Sequence, residues 1–483
     1  MSDVFLTATL PTGYRRTAPP PGIGYLASVL SRADFSVTLL DPSPLGMSNE
    51  DVVQAAARED PLMTGIYCCT MDRYEAFALA SRIKAEVPET KLAMGGPHVT
   101  FVAEETLRRI GSIDVVVRGE GEVTIRKLAD RLRTQGSLAD VAGIAYKEAG
   151  KVVSNPARAP IDDLDSIPFP AYDLFPDLGL YAPQGIAGRR RSAVVMTSRG
   201  CPYHCSFCSS GPLWARCRAR SAENVVDELE YLVSEHEVEF VKFYDDVFTL
   251  NRKRVQEICQ GIIDRKLDIG FFILTRVDLV DIDTLRILRR AGCEQVQYGI
   301  ESGSQEVVTG VRKGIDLGAA EKALSITKEA GINSYVFLML GLKGETENDI
   351  RKTIGFLVRN AENIQDVETS VNSIYPGSPD YYECIEKGIF DEDIWFTYRN
   401  DDPLLYKDTP PYPSPIPLRR LEAYRRLIHL VKMGLKGRPI GETSMATLGF
   451  LRNHFTDPEE LVLLGRGLKE SFALRKLKRR SGR

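Results

Sequence analysis

Residues 198–211 read SRGCPYHCSFCSSG, and this short stretch contains three of the nine cysteines of the chain. Three residues separate Cys201 from Cys205, and two separate Cys205 from Cys208. Three ligands are one fewer than a closed structural zinc site takes, and an odd number at such short spacing makes a poor disulfide set. Clustered thiolates suit an iron–sulfur cluster, and three of them leave one iron of a four-iron cluster open to a small molecule. A zinc knuckle completed by His204 or a remote cysteine is the alternative.

The composition is that of a globular protein whose overall charge does not favour nucleic acid. The chain has 483 residues, 43% hydrophobic and 27% charged, with a formal net charge of −4. The start, MSDVFLTATLPTG, lacks the features of a signal peptide, and no uncharged apolar run reaches the ~18 residues of a membrane span. Scattered cysteines in such a chain indicate reduced thiols. We expect a cytoplasmic protein with no membrane and no nucleic-acid partner. The basic segment 472–483, FALRKLKRRSGR, is expected to be a solvated tail, with a polyanion contact as the alternative.

Two series of short β-rich runs alternate with helical patterns, which predicts α/β architecture with parallel sheets. The first series predicts a doubly wound, Rossmann-like domain of five strands followed by a short hairpin. The strands are predicted at Val4–Thr7, Val37–Leu40, Thr64–Cys68, Leu92–Met94 and Val115–Arg118, and the hairpin at Ile144–Lys147 and Val152–Ser154.

The second series predicts six βα units, as in a partial TIM-like barrel, where ligands collect at the carboxyl ends of the strands. The strands are predicted at Ala193–Ser198, Phe240–Tyr244, Phe271–Thr275, Gln295–Gly299, Tyr335–Leu340 and Val367–Ile374. The predicted divisions are 1–155 for the Rossmann-like domain, 156–190 for a linker, 191–389 for the partial barrel and 390–483 for a small, mostly helical C-terminal region. The linker is rich in Pro and Asp, which favours an extended path over a helix.

The motif CPYHCSFC follows the first barrel strand and resembles the Cys-x-x-x-Cys-x-aromatic-Cys signature of the radical S-adenosylmethionine (radical SAM) superfamily. The resemblance implies that Cys201, Cys205 and Cys208 hold a [4Fe–4S] cluster, whose fourth iron is chelated by the amino and carboxylate groups of S-adenosylmethionine (SAM). One electron then cleaves the sulfonium to methionine and a 5′-deoxyadenosyl radical. Phe207 occupies the aromatic position, which in this family lies near the adenine.

Other strand ends agree with this resemblance and supply further predicted SAM contacts. YDD (244–246) ends the second strand, where the family binds the methionine amino end, and LTRVD places Arg276 to pair with the methionine carboxylate. Glu301 in YGIESGS resembles the family's ribose-binding acid; a surface carboxylate at a helix start is the alternative. GLKGET (341–346) departs from the more usual GLPGET at Lys343. The SAM contacts implied are Phe207, Asp245, Arg276, Glu301, Ser302 and Leu338.

Three loops rich in Gly and Pro at the carboxyl edge of the first sheet predict a second cofactor site. They read PPPGIGYLASVL (19–30), MGGPHVTF (94–101) and RGEGE (118–122). Together with DDLDSIPFPAYDLF in the linker, they resemble the cobalamin-binding domain of one large branch of the radical SAM superfamily. The resemblance implies cobalamin contacts at Pro21, Gly22, Thr70, Gly95, Gly96, His98, Val99, Gly119, Glu120 and Gly121.

Histidine ligation of cobalt is not predicted. The Asp-x-His-x-x-Gly motif of another cobalamin class has its nearest match at residues 41–46, DPSPLG, with serine in place of histidine. By resemblance, His98 contacts the nucleotide tail of cobalamin; a loop histidine bonded to its own backbone is the alternative. Cys68 and Cys69 are predicted to be buried small hydrophobes rather than neighbours of cobalt.

These cofactors predict a cobalamin-dependent radical SAM methyltransferase that acts on an unactivated carbon, or another poorly nucleophilic centre, of a small molecule. A non-methylating radical enzyme of the same branch, such as one that closes, contracts or oxidises a ring, is the alternative. A methylthiotransferase needs three more cluster cysteines in the first domain, and a sensory binding protein does not need the SAM loops. A low-potential electron donor of the flavodoxin or ferredoxin type is implied. The sequence does not identify the substrate; Tyr298, Tyr375 and Tyr382 are candidates to line its site.

Overall fold

The computed structural model describes residues 2–9, 15–181, 190–399 and 408–435 of the chain. The basic segment 472–483 therefore lies outside the described residues. The described chain forms two large sheets with helices packed on them, in the order that the sequence predicts. The predicted α/β fold class is confirmed. Among the helices in these ranges, none is long and apolar enough to cross a membrane.

The N-terminal sheet has seven strands in the order β2-β1-β3-β4-β5-β6-β7. The first five pair in parallel, and the hairpin of β6 and β7 joins antiparallel at the β5 edge. The hairpin predicted after five strands is thus an extension of the same sheet. The strands are β1 (Val4–Ala8), β2 (Val37–Leu40), β3 (Met63–Tyr67), β4 (Lys91–Gly95), β5 (Val115–Val117), β6 (Ile144–Glu148) and β7 (Lys151–Ser154).

Helices cover both faces of this sheet and enclose two hydrophobic clusters, because successive strand residues point to opposite faces. Phe5 of β1 packs in one cluster and Leu6 in the other. The helices are α1 (Pro21–Ser31), α2 (Pro42–Leu45), α3 (Asn49–Glu59), α4 (Arg73–Glu86), α5 (Pro97–Phe101), α6 (Ala103–Arg109) and α7 (Glu122–Arg133). Since α1, α5 and α7 follow β1, β4 and β5, their amino ends gather at the carboxyl edge of the sheet.

The described part of the segment between the domains, residues 156–181, contains no α-helix, as the sequence predicts. Its path is interrupted by three single 3₁₀ turns, Leu164–Ser166, Tyr172–Leu174 and Leu178–Leu180. Tyr172 donates a hydrogen bond to Glu228 of the barrel (2.9 Å), and Tyr181 donates one to Asp41 of the N-terminal domain (3.0 Å). The prolines restrict the local angles, and the buried tyrosines between them dock the segment on both domains.

The second large sheet has six parallel strands in the order β15-β14-β13-β12-β11-β8. Their order in space follows their order in sequence, as in a singly wound partial barrel. The strands are β8 (Ser192–Val195), β11 (Phe240–Phe243), β12 (Gly270–Thr275), β13 (Cys293–Glu301), β14 (Asn333–Leu340) and β15 (Asp366–Val371). A two-stranded antiparallel ribbon, β9 (Ser198–Arg199) and β10 (Arg218–Ala219), brackets residues 200–217, which we call the cysteine loop.

Most helices that follow the barrel strands pack on the outer face of the sheet. They are α9 (Ala222–His236), α10 (Arg252–Asp264), α11 (Ile282–Arg290), α12 (Gln305–Gly310), α13 (Leu317–Glu329) and α14 (Glu347–Arg359). The short helix α8 (Ser210–Trp214) belongs to the cysteine loop, and α15 (Pro379–Glu386) packs in a separate cluster with Trp395. On β14, Leu338 and Leu340 are buried against the outer helices, whereas Phe337 and Met339 are partly exposed on the opposite face. That opposite face lines the lumen of the barrel.

The described part of the region 390–483 packs on both domains. Helix α17 (Leu418–Leu435) lies in the region predicted to be mostly helical, and its buried side chains, such as Leu421 and Tyr424, join the barrel core. Helix α16 (Ile394–Thr397) contains Trp395, whose carbonyl accepts a hydrogen bond from Arg73 of α4 at 2.7 Å. These elements do not form a core of their own. Residues 436–483 lie outside the described ranges.

Candidate functional site

The cysteine loop lies beyond the carboxyl end of β8, beside the N-terminal domain. Its three motif cysteines are partly exposed, and none forms a disulfide. Between the second and third of them, Ser206 ties the loop to the barrel. Its amide donates to the Val311 carbonyl (2.9 Å), and its hydroxyl donates to Asp380 (3.1 Å). The loop is therefore held in place while its thiols remain accessible.

The thiols of this loop suit a cluster better than a single metal ion. Among the described residues, no three His, Cys, Asp or Glu side chains lie close enough together to hold one ion. A [4Fe–4S] cluster binds each thiolate at a different iron, so its ligands stand farther apart than those of a zinc ion. Three free cysteines on one accessible loop fit that cluster, and His204 does not complete a zinc set with them.

The two carboxylates of the YDD segment have different surroundings. Asp245 is 1% exposed and accepts hydrogen bonds from the Thr197 amide (2.7 Å), the Thr197 hydroxyl (2.5 Å) and the Ser198 hydroxyl (2.5 Å). The oxygens of Asp245 therefore brace the chain that leads into the cysteine loop, and its SAM contact stays a prediction. The next residue, Asp246, accepts a hydrogen bond from Ser210 (2.6 Å) and lies beside that loop.

Arg276 follows β12 and holds the cysteine loop. Its guanidinium donates to Asp278 (2.9 and 2.8 Å) and to the carbonyls of Lys313 (2.7 Å) and Gly314 (3.1 Å). It also lies 3.5 Å from the ring centroid of Tyr203, which stands between the first two motif cysteines. With these partners Arg276 supports the loop, and its pairing with the methionine carboxylate stays a prediction.

Glu301 ends β13 in the left-handed backbone conformation, with φ of +68°. Residues with side chains keep such a conformation only where the surroundings require it. The carboxylate accepts a hydrogen bond from Lys313 at 2.8 Å, and both side chains are at most 12% exposed. Burial raises the pKa of the Cys205 thiol, and the charge of Lys313 opposes this effect. The sequence analysis missed Lys313, since a single lysine in a loop carries no recognisable pattern; the ribose contact of Glu301 remains a prediction.

Two other predicted SAM contacts face away from the lumen. Leu338 is 1% exposed and packs under the outer helices. Ser302 is fully buried, and its hydroxyl lies 3.1 Å from the Thr353 hydroxyl of α14. The side chains at a strand end alternate between the two faces, and these two lie on the helix side. Their SAM contacts stay predictions. Phe207, by contrast, is partly exposed and packs against the same buried cluster as Met339 of the lumen face.

A cavity of about 460 Å³ lies between the two domains; we call it the interdomain cavity. One wall consists of the loops at the carboxyl edge of the N-terminal sheet. The other wall includes Val194 and Met196 of the first barrel strand end, Tyr244 after β11 and Trp214 of α8. No histidine is among the described residues that line it. Its volume lies within the usual range of ligand sites.

The glycine-rich loops give this cavity its space. Seven of the ten predicted cobalamin contacts line it, namely Pro21, Gly22, Gly95, Gly96, Gly119, Glu120 and Gly121. At Gly96, φ is +118° and a Cβ would stand 2.4 Å from the Cys68 carbonyl oxygen, so only glycine fits. At Gly22, nothing lies within 4 Å of an added Cβ. The wall therefore lets a large, flat ligand approach the backbone closely, as a corrin requires.

The other three predicted cobalamin contacts, Thr70, His98 and Val99, do not line the cavity. Val99 is fully buried in the core, and His98 Nδ1 lies 3.2 Å from Thr70 Oγ1. The His98 ring meets the Trp395 ring edge-on at 5.6 Å between centroids. Burial holds the pKa of His98 well below its usual value, so the ring is neutral. Contacts of these three residues with cobalamin stay predictions, and the contact of His98 with α16 could not be foreseen from the loop alone.

Glu120 lines the cavity, but its carboxylate binds arginines that flank the cysteine loop. Arg199 donates to it at 2.9 Å and Arg218 at 2.8 Å, and Arg199 also pairs with Glu122 at 2.5 Å. All four side chains are at most 8% exposed. We call them the interdomain charge cluster. The oxygens of Glu120 therefore tie the two domains together, and its contact with cobalamin stays a prediction.

Replacement of Gly22 by phenylalanine tests the interdomain cavity. The ring must occupy the open space beside Gly22, so we expect the cobalamin bound per chain to fall about tenfold or more. Iron and sulfide content should stay at the wild-type level. Gly111→Phe is the matched control, because Gly111 also has nothing within 4 Å of an added Cβ but lies away from the cavity. Equal cobalamin binding by both variants contradicts the assignment.

Comparisons with known proteins agree with this arrangement. The Radical SAM superfamily model matches residues 195–357, and the B12 binding domain model matches residues 14–129. The chain is 34% identical over 390 residues to an uncharacterized methyltransferase, PH0819, of Pyrococcus horikoshii, a match that covers 80% of this chain and 83% of the relative. It is 33% identical over 349 residues to the anaerobic magnesium-protoporphyrin IX monomethyl ester cyclase of Rubrivivax gelatinosus. That match covers 69% of this chain and 61% of the cyclase.

A solved structure shows the same fold. The cobalamin-dependent S-adenosylmethionine radical enzyme OxsB, with aqua-cobalamin bound, superimposes with a TM-score of 0.73 and 19% identity, over 98% of this chain and 72% of OxsB. This likeness confirms the predicted order of a Rossmann-like domain and a partial barrel.

The predicted enzyme class, a cobalamin-dependent radical SAM methyltransferase, is confirmed by these matches. The two family matches and the relative of similar length also account for the three predicted cofactors. The chain belongs to the radical SAM superfamily, in the branch with an N-terminal B12-binding domain, and its cofactors are a [4Fe–4S] cluster, S-adenosylmethionine and cobalamin.

Proposed function

We propose that the chain transfers a methyl group to an unactivated carbon of a small molecule that binds in the barrel lumen. The interdomain cavity is the observation that carries this proposal. Its walls come from the B12-binding loops on one side and from the barrel and the cysteine loop on the other. A substrate in the lumen therefore faces both cofactor sites, so it can stay in one place while a hydrogen atom is removed and a methyl group is added.

When bound, the cluster and SAM supply a 5′-deoxyadenosyl radical that removes a hydrogen atom, and cobalamin supplies the methyl group. The residues of the chain fix the separation of the two cofactor sites and keep water out. Arg199 and Arg218 tie the cysteine loop to Glu120 of the cavity wall. Val194 and Met196 give the barrel side of the cavity an apolar surface, which limits side reactions of a radical with solvent.

A second cavity, of about 380 Å³, supports a small-molecule substrate. It runs from Tyr335 on the lumen face of β14, past the edge strand β15, to α17. Its volume suits a small organic molecule. Of the three tyrosines named from the sequence, Tyr375 lines this cavity. Tyr298 instead shares a hydrogen bond with the outer helix α13 (2.7 Å), and Tyr382 is 51% exposed.

Anaerobic reconstitution tests the proposal. The chain is loaded with iron, sulfide and hydroxocobalamin, then incubated with SAM, a low-potential reductant and a metabolite extract, with SAM labelled in its methyl group. We expect labelled product together with 5′-deoxyadenosine and S-adenosylhomocysteine, the last two in similar amounts. Labelled product without 5′-deoxyadenosine contradicts hydrogen abstraction. In the cell, a flavodoxin or ferredoxin is the donor that this proposal implies.

A ring-forming radical reaction without methyl transfer is the second candidate. It is favoured by the 33% identity to the cyclase, of which this chain spans 61% of the length. The same assay separates the two reactions, because ring formation yields 5′-deoxyadenosine without S-adenosylhomocysteine.

A further inference from the structure

The barrel lumen contains a buried cation that no acidic residue balances in the described chain. Lys242 is on β11 and faces the lumen, because its neighbours Val241 and Phe243 pack in the cluster under the outer helices. It is 5% exposed. Its ammonium group donates hydrogen bonds to the Thr17 carbonyl (2.7 Å) and, more weakly, to the Thr17 hydroxyl (3.4 Å).

Lys242 differs in its pairing from Lys313, which is also buried but forms an ion pair with Glu301. Within the described ranges Lys242 has no such partner, and burial is the cause that lowers its pKa to about 8. An isolated buried charge is costly. Groups that reduce stability in this way are typical of functional sites.

The position of Lys242 connects it with both cofactor-binding domains. Its partner Thr17 lines the interdomain cavity. So do Tyr244, two residues farther along the chain, and Val194, which pairs with Lys242 in the register of β8 and β11. On the lumen side, Phe272 forms a ring contact with Tyr244 at 6.3 Å between centroids. Lys242 itself does not line the cavity, so it is connected to the cavity through Thr17, Val194 and Tyr244.

We propose that Lys242 binds an anionic group of the substrate, a carboxylate or a phosphate. An ammonium group has three N–H donors, and Thr17 accepts from two of them, so one donor is left for a ligand. The inference rests on the proposed function in one respect, since it takes the lumen as the substrate site. It adds that the substrate carries negative charge. Because SAM and cobalamin also carry anionic groups, the test measures their binding separately.

The first measurement is thermal unfolding of the full chain loaded with cluster and cobalamin. Lys242→Met removes the charge and keeps a side chain of similar length; Lys253→Met, at a site 85% exposed on α10, is the control. We expect Lys242→Met to unfold several degrees above the wild type at pH 7. Acetate or inorganic phosphate, exchanged for chloride at constant ionic strength, should raise the melting temperature of the wild type and of Lys253→Met only. A melting temperature raised by acetate indicates a carboxylate site, and one raised by inorganic phosphate indicates a phosphate site.

The second measurement is cofactor affinity in the same variants, prepared with the iron–sulfur cluster but without cobalamin. Titration with hydroxocobalamin and with SAM should give Kd values within about twofold of the wild type. A Lys242→Met protein that unfolds below the wild type, or that responds to the anions as the wild type does, overturns the proposal. A loss of affinity of about tenfold for SAM or hydroxocobalamin assigns the cation to a cofactor and overturns it as well. None of these measurements uses methyl transfer, so failure of the proposed reaction is distinguishable from failure of the anion site.

Discussion

Replacement of Cys205 by alanine is expected to abolish cluster binding and, with it, the reductive cleavage of SAM. The three motif cysteines leave one iron open only if all three bind, and two thiolates do not hold a four-iron cluster stably. We expect iron and sulfide per chain to fall to background and 5′-deoxyadenosine formation to fall by about 100-fold or more. Cobalamin binding should persist, because the interdomain cavity is not lined by Cys205.

Cys217→Ala is the matched control for this prediction. Cys217 belongs to the same loop and is partly exposed like the motif cysteines, but it stands outside their spacing. We expect its variant to retain the cluster and to cleave SAM at nearly the wild-type rate. A Cys205→Ala protein that still contains sulfide and still makes 5′-deoxyadenosine refutes the ligand assignment.

Replacement of Arg199 by methionine is expected to cost about 3–5 kcal/mol of unfolding free energy, because it leaves a buried carboxylate without its partner. Glu122, 8% exposed, loses its only ion pair in the described chain, whereas Glu120 keeps Arg218. Urea unfolding measures the loss. Since the interdomain charge cluster holds Glu120 in the wall of the interdomain cavity, hydroxocobalamin binding should weaken in the same variant.

Arg216→Met is the control, because Arg216 pairs with Asp162 at sites 50% and 80% exposed. Exposed pairs contribute about 0–1 kcal/mol, so its unfolding free energy should stay close to that of the wild type. Equal losses in the two variants contradict the assignment of a buried charge cluster.

The contribution of the interdomain charge cluster to stability depends on pH through the carboxyl group of Glu120. Burial raises the pKa of this carboxyl, but hydrogen bonds from Arg218 and Arg199 outweigh burial and hold the pKa below its usual value. The contribution of Glu120 to stability is therefore present above the unfolded pKa, about 4.3, and is lost as the pH falls through the lower folded value. The Arg199→Met protein should show a smaller loss of stability in this acid range, measured by urea unfolding at each pH.

Several site residues were predictable because their spacing is local. The cysteine trio and the glycine loops are recognisable within a dozen residues, and the alternation of strands and helices brings the loops to the carboxyl edges of the sheets. Side-chain direction at the strand ends was not predictable. The side chains of Leu338 and Ser302 point toward the outer helices. The carboxylate of Asp245 braces the chain that leads into the cysteine loop, whereas that of Asp246 lies beside the loop itself. One residue of offset decides which face a side chain takes.

The sequence by itself determined the two cofactor domains, since thiolates at fixed short spacing and glycines at strand ends are local requirements of the ligands they bind. The tertiary structure alone decided how the domains meet. Arg199 and Glu120 are 79 residues apart and Arg218 and Glu120 are 98 apart, yet they form one buried cluster. Likewise, only the folded barrel shows that Lys242 lacks a carboxylate partner in the described chain. Such pairings depend on burial and distance between remote segments, and no local pattern encodes them.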